Sequence, residues 1–292
     1  MKGIILSGGT GTRLFPLTTV IGKQLLPVFD KPMVFYPLST LIHAGVTEIL
    51  LISTFEDISK YQSLLGDGAH LGLTIEYAIQ SKPAGIPQAI TIAEQFLGVE
   101  NFWLILGDNM FHGPEFGRNL RQASTAAIGA HAYGYRVQNP SSFGVFEFSS
   151  DGISLKSLEE KPEFPKSNWA VLGLYHFDNS ALEKVAELVP SKRGELEMLD
   201  LLRLYFQADR LEVSRISRGN AWFDLGSPEA ILKASVFVHS IQTTQGMLVG
   251  SPEEAAINAG LISADSVIKS LEKFSHTEYF HTLSNCLMEK YS

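Results

Sequence analysis

The sequence predicts a doubly wound, mostly parallel α/β sheet extended by extra strands, with a small C-terminal helical appendage. Three observations carry that reading. First, short apolar runs stop abruptly at turn residues: Ile4-Ile5-Leu6 before Gly8-Gly9, E-I-L-L-I-S at 48–53, and F-W-L-I-L at 102–106 before Gly107-Asp108-Asn109. Runs without alternation belong to strands buried on both faces, as in a parallel sheet. Second, stretches of helical length and pattern separate them, giving a β-α-β-α-β order. Third, the pattern changes near Ala130 to short, closely spaced runs, and after Gly246 to helical stretches alone.

In chain order, 32–44 reads as a helix entered through Pro32 and stopped at Gly45, with Pro37 kinking it or moving its start. A second helix at 58–65 stops at Gly66-Asp67-Gly68, and 73–79 alternates enough to be a strand. Residues 80–87 form a loop leading into a helix that ends near Phe96. Runs at 130–137, 144–148, 153–159 and 169–177 predict extra strands. Helices follow near 180–188 and 195–207, then a strand at 211–216, and residues 220–224 lead into a helix from Ser227. Helices at 253–259, 264–274 and 277–288 make up the appendage. In such a sheet ligands collect outside the carboxyl ends of the strands. That rule gathers the loop after the first strand, the 80–87 loop and Asp108 on one rim.

The loop after the first strand is Gly8-Gly9-Thr10-Gly11-Thr12-Arg13. Glycine admits a positive φ and lets a ligand reach bare backbone. Successive N–H groups make a concave anion site, and Arg13 adds a fork of donors for phosphate oxygens. A dinucleotide fingerprint would need glycine where Leu14 stands, and a P-loop would need Gly-Lys-Ser/Thr where Gly-Thr-Arg stands. A bare glycine turn is the remaining alternative. Against it stand Lys23 and Gln24, a cation and an amide shortly before Pro27.

Two carboxylates are isolated among apolar residues: Asp108 after its strand, and Asp224 in W-F-D-L-G. Each alone fits a turn or helix cap. Converging, they would suit an octahedral Mg²⁺ shared with water and phosphate oxygens. Lys161, in L-E-E-K-P, fits a solvated hairpin tip as well as a ligand contact. The eight histidines show no zinc-binding spacing.

The net charge of -8 and pI near 5.5 argue against a nucleic-acid surface. The single cysteine, Cys286, excludes an intrachain disulfide. With no leader-like start and no apolar run long enough to span a bilayer, the expected setting is cytoplasmic, with no membrane partner.

Taken together, G-G-T-G-T-R-L and K-Q-L-L-P resemble the sugar-1-phosphate nucleotidylyltransferases, most of all those that make dTDP-glucose. D-K-P-M, Y-P-L-S-T-L, L-L-G-D-G, L-G-D-N, L-E-E-K-P, P-K-S-N-W-A-V and R-G-E-L-E extend the match in order over roughly residues 1–240. The resemblance implies dTTP and a sugar 1-phosphate as substrates, Mg²⁺ as cofactor, and a homotetramer. It also implies a nucleotide-binding half at about 1–129, a sugar-binding half at about 130–240, and a helical segment at 241–292. Arg13, Lys23 and Lys161 are then the catalytic cations, and Asp108 and Asp224 hold the metal. Gly8, Gly9, Gly11, Thr12, Arg13, Lys23, Gln24 and Asp108 hold the nucleotide, with Gln80 and Gly85 reading the pyrimidine edge. Asn109, Gly144, Glu160, Lys161, Val171, Gly173 and Arg193 hold the sugar phosphate.

The chain also departs from that pattern. Phe143 stands for a tyrosine, Leu172, Leu199 and Leu225 for threonines, Ala84 for an aspartate, and Asn258 for an arginine in a segment the family links to feedback. The hydroxyl losses leave the sugar open, with UTP or a deoxy or substituted hexose 1-phosphate as alternatives. A nicotinamide oxidoreductase is disfavoured by Leu14. A non-catalytic sugar-nucleotide sensor is the remaining rival.

Overall fold

Strand β1 (Lys2–Leu6) lies at the centre of the sheet, and its side chains explain its unbroken apolar run. Ile4 and Leu6 enter one core layer and Ile5 the opposite one. Each such side chain contributes roughly 1.5–3 kcal/mol when withdrawn from water. The computed structural model describes every residue except Thr10, residues 126–128, Ile153 and Ser292, and leaves out the side chains of 289–291. Thr10 of the glycine loop and Ile153 of the 153–159 run therefore lie outside the described residues.

The other strands are β2 (Pro27–Val28), β3 (Lys31–Pro32), β4 (Glu48–Ser53), β5 (Thr74–Ile79), β6 (Phe102–Leu106), β7 (Asn109–His112), β8 (Ala130–Arg136), β9 (Gly144–Phe148), β10 (Leu155–Glu160), β11 (Trp169–Phe177), β12 (Leu211–Arg215) and β13 (Ala221–Asp224). β1 pairs in parallel with β4 on one side and β6 on the other, and β4 pairs in parallel with β5. The chain thus winds outward in both directions from β1, which makes the carboxyl ends of β1 and β6 the topological switch point. Beyond β6 the sheet becomes mixed: β11 runs antiparallel to β6, β8 antiparallel to β11, and β12 parallel to β8.

The sheet forks at β11. Residues 174–177 pair with β6, whereas Trp169 and Ala170 pair with β9, which carries β10 on its far side. Between these ladders, residues 171–173 face the point where β6 ends at Leu106 and β9 begins at Gly144. A split sheet leaves room for a ligand there.

Helices α1 (Phe35–His43), α2 (Ile58–Leu65), α5 (Phe116–Thr125) and α9 (Pro252–Asn258) supply Leu41, Tyr61, Leu120 and Ala256 to one face of the sheet. Helices α3 (Gln88–Ile92), α4 (Glu94–Leu97), α6 (Ala181–Ala186) and α7 (Met198–Gln207) supply Ile90, Leu97, Val185 and Leu202 to the other. Helix α8 (Pro228–Gln245) is capped by Ser227, whose hydroxyl accepts from the Ala230 N–H, and packs Ala234 and Val238 against Val28, Met33 and Tyr36. Helices α10 (Ala264–Leu271) and α11 (Glu278–Tyr291) share a separate small core with Leu248 and Ile257.

Several details differ from the sequence reading. Pro37 neither kinks α1 nor delays it. It is the third residue of the helix, where its missing N–H would have had no intrahelical partner. The helix expected to end near Phe96 is two short ones meeting at Ala93. Residues 221–224 form a strand rather than only a lead-in, because β13 finds a partner in β7. That ladder and the β2–β3 pair had no periodic signal to announce them, whereas α5, with Phe116, Leu120 and Ala123 on one face, was overlooked.

Candidate active site

The glycine loop leaves β1 at the switch point and folds over a cavity of about 170 Å³ lined by Gly8, Gly9, Gly11, Thr12, Arg13, Lys23, Gln24, Asp108 and Gly226. Gly11 has φ 56°, and its carbonyl accepts from the Thr18 hydroxyl at 3.0 Å. Lys23 and Gln24, both buried, reach the same cavity from a short 3₁₀ turn. Every sequence-predicted phosphate-loop residue that the structure describes is therefore at one place.

A second cavity, of about 620 Å³, adjoins it and shares Thr12, Arg13 and Asp108. It opens in the fork of the sheet: Leu106 ends β6, Gly144 starts β9, and Val171 and Gly173 come from the stretch of β11 that pairs with neither β6 nor β9. Asn109 closes part of that gap. Its side-chain oxygen accepts from the Gly173 N–H at 3.2 Å and the Trp222 indole N–H at 2.8 Å, while its amide donates to Asp108 Oδ1 at 3.1 Å. The sequence reading missed Trp222 as a wall of the site, since an aromatic beside an aspartate reads equally well as core.

The two isolated aspartates do converge. In the β7–β13 ladder Asn109 faces Asp224, and the Leu225 N–H donates to the Asp108 carbonyl at 2.9 Å. Both side chains line the larger cavity. Burial raises the Asp224 carboxyl above the ordinary carboxylate range, and the neighbouring Asp108 charge raises it further against Lys23 and Arg13. Lys23 Nζ makes an ion pair with Asp108 Oδ2. Arg13 lies beside Gly226, where a methyl group would sit 2.6 Å from its guanidinium. A side chain there would push the guanidinium aside, so the glycine of W-F-D-L-G leaves Arg13 in its present place. Two acidic oxygen donors facing a phosphate cradle match the way Mg²⁺ binds, through one or two carboxylates completed by water and phosphate. Among the described residues no third His, Cys, Asp or Glu joins them, so the donor set suits a metal completed by its substrate.

Opposite the aspartates the cavity carries a chain of ion pairs. Lys161 Nζ lies 3.3 Å from Glu160, Arg193 lies 3.6 Å from the same carboxylate, and Arg193 forks onto Glu197 at 3.2 and 2.7 Å. Lys161 has φ 41°, a left-handed conformation that costs a non-glycine residue of order 1 kcal/mol. Its N–H donates to the Phe143 carbonyl at 3.1 Å, and the residue lines the cavity instead of standing free at a hairpin tip.

Gln80 and Gly85 line neither cavity but stand at its edge. The Gln80 side chain lies over Gly8, where a methyl group would come within 2.3 Å of its Oε1. Gly85 is bridged to Leu196, which lines the larger cavity. Of the four hydroxyl-to-apolar positions, Phe143 and Leu199 line that cavity, whereas Leu172 and Leu225 are fully buried in separate cores. Asn258 lines a different cavity of about 530 Å³ between α1, residues 111–118 and α9.

Known proteins share this architecture. A family model described as nucleotidyl transferase matches residues 2–241. A glucose-1-phosphate thymidylyltransferase of Neisseria gonorrhoeae is 48% identical over 282 residues, covering 96% of this chain and 98% of the relative. Another, of Mycolicibacterium smegmatis, is 45% identical over 98% of this chain and 99% of its own. Among solved structures, a UDP-glucose pyrophosphorylase complexed with UDP-glucose superposes with a TM-score of 0.71 at 25% identity, covering 82% of this chain and 98% of that one. On this evidence the chain belongs to the nucleotidyl transferase family, among the glucose-1-phosphate thymidylyltransferases.

Proposed function

We propose that the protein transfers a thymidylyl group from dTTP to glucose 1-phosphate, giving dTDP-glucose and pyrophosphate. The observation that carries this reading is the convergence of Asp108 and Asp224 between an anion cradle and a sugar-sized cavity. In this reading the cradle takes the triphosphate. Gln80 and Gly85 read the base, and the cavity at the fork takes the sugar phosphate.

The nucleophile is a phosphate oxygen of glucose 1-phosphate, already an anion, so no residue has to remove a proton. It attacks the α-phosphorus in line, the bond to the β-phosphate oxygen breaks, and pyrophosphate leaves with the electron pair. Catalysis then rests on orientation and charge neutralisation. Arg13 and Lys23 face the triphosphate, and Lys161 and Arg193 meet the sugar phosphate. Asp108 and Asp224 would hold Mg²⁺, which when bound neutralises phosphate charge and polarises the reacting phosphoryl group. Glu160 and the backbone of Gly144, Val171 and Gly173 face the sugar ring. The assembly proposed is a homotetramer, and the setting cytoplasmic. No helix among the described residues is long and apolar enough to cross a membrane.

A second reading of the sugar is favoured by Phe143 and Leu199, which put apolar surface on the cavity wall. An apolar wall discriminates weakly against a sugar lacking a hydroxyl, whereas a hydrogen-bonding wall rejects it by ~10⁴-fold. The test is pyrophosphate release from a panel of dTTP and UTP against glucose 1-phosphate and its 4-deoxy and 6-deoxy analogues. Turnover of dTTP with glucose 1-phosphate, and analogues within about tenfold, is the expected result. Absence of turnover with every pair, alongside binding of dTDP-glucose, would replace the enzyme reading with a sensor. A preference for glucose 1-phosphate of ~10³-fold or more would remove the deoxy reading alone.

A further inference from the structure

We propose that Gln88 is a positioning residue that fixes which end of the Gln80 amide faces the nucleobase, and so makes the site select pyrimidines that carry an N3–H. The inference rests on the nucleotide site proposed above and concerns a residue to which neither motif nor spacing gave a role.

A backbone N–H can only donate. The Ala84 N–H donates to the Gln88 side chain at 3.0 Å, so the Gln88 atom it meets is the amide oxygen. The same oxygen lies 2.7 Å from the Gln80 side chain, and the Gln80 atom there must be the NH₂. The carbonyl oxygen of Gln80 is thereby turned the other way, over Gly8 at the edge of the cradle. Among the described residues no donor engages that oxygen. Gln80 is 5% exposed, so its amide has little freedom except rotation about its last torsion, and Gln88 blocks that rotation.

Both ends of the device are anchored. The Gln80 N–H donates to the Ser53 carbonyl at 2.8 Å, continuing the β5 ladder, and the Leu196 N–H donates to the Ala84 carbonyl at 2.8 Å. Gln88 itself is the first residue of α3, whose Ala89 and Ile90 are fixed in the core. The fixed carbonyl accepts a hydrogen bond from N3–H of thymine or uracil. Cytosine presents an unprotonated N3, so two acceptors would face each other and one buried group would lose its partner.

The experiment compares kcat/KM for dTTP and dCTP, with glucose 1-phosphate, in the wild type, Gln88→Glu and Gln88→Leu. Glutamate keeps an oxygen for both N–H groups and is expected to keep the wild-type dTTP:dCTP ratio within about threefold. Leucine removes the acceptor, lets the Gln80 amide turn over, and is expected to lower the ratio by about tenfold, the worth of one oriented hydrogen bond. Should the leucine variant not fold, Gln88→Asn carries the same comparison, because its shorter side chain does not reach both donors. A purely structural role for Gln88 would lower both activities together. An unchanged ratio in the leucine or asparagine variant therefore overturns the proposal, as does loss of selectivity in Gln88→Glu. A wild type that turns over sugar phosphate with dCTP as well as with dTTP would overturn the proposal while leaving the transferase reading intact.

Discussion

Asp224 shows how far a residue's chemistry is set by its surroundings. In sequence it is one acid among aromatics, but the β7–β13 ladder brings it to Asp108 inside a cavity, where burial and its neighbour's charge disfavour ionisation. A buried carboxylate pair of this kind is tolerated where a cation is to be recruited. Asp108→Asn is therefore expected to lower kcat/KM in Mg²⁺ by ~10²-fold or more, while metal-free dTTP binding, measured by calorimetry, changes by less than about threefold. Arg13→Ala should lose activity by a similar factor, since its guanidinium lines both cavities and, in the proposed function, meets the triphosphate. Full activity of Asp108→Asn in Mg²⁺ would refute the assignment of the carboxylate pair. At this scale the sequence was legible where residue type and spacing restrict chemistry strongly, as in the glycine loop with Arg13 and Lys23. It was not legible where a role depends on contact. Nothing in the sequence could show that Gln88 meets Gln80, or that Leu199 and Phe143 face a cavity while Leu172 and Leu225 do not.

Among the elements, β11 does most to shape the site, because one edge of it serves two partners and opens the fork. Its run at 169–177 predicted an extra strand. The fork was silent, since pairing partners are chosen by the whole sheet and not by local pattern. The same strand carries His176, 2% exposed and stacked on Trp103 with ring centroids 4.8 Å apart. Burial pushes its imidazole down to about 4, helped by His131 and opposed by Asp178. In the unfolded chain the ring protonates near its ordinary value of about 6.5. Between those values the unfolded state binds the extra proton, so this contribution to stability is full above the unfolded value and is lost as pH falls through the window. At about 1.4 kcal/mol per unit the loss is at most roughly 3 kcal/mol by pH 4. His176→Phe keeps the stacked ring and removes the titration. Its urea midpoint is expected to fall less than that of the wild type between pH 7 and pH 5. Equal falls in the two proteins would show that other groups carry the acid sensitivity.

For the whole molecule, the parallel strands were legible to within a residue or two, because strands buried on both faces and helices stopped by glycine leave strong local marks. The C-terminal segment was legible only as helices, since its place depends on which of its faces finds a core. Helix α9 sends Ala255 and Ala256 into the main core against α1, with Leu261 and Ile262 packed behind them. Helices α10 and α11 contribute Val267, Leu283 and Leu287 to a separate cluster, closed on the other side by Leu248 and Ile257. One polar tie reaches further: the Tyr279 hydroxyl donates to Glu253 at 2.6 Å and lies 3.0 Å from the Ser251 hydroxyl, and its ring covers Lys31. The two parts of the segment should therefore differ in what their removal does. Ending the chain at residue 262 deletes α10 and α11 and exposes Leu248 and Ile257, a loss of about 3–6 kcal/mol at the usual worth of a buried aliphatic side chain. A domain of ordinary stability, ~5–15 kcal/mol, survives that loss with a lowered Tm. No residue of the proposed active site is touched, so kcat/KM should stay within about threefold. Ending it at residue 250 also strips α9 from α1 and opens the core that supports β1 and the glycine loop. That shorter chain is expected to lack a cooperative thermal transition. If the chain ending at 262 loses its transition as well, α10 and α11 are part of the main folding unit and not an appendage to it.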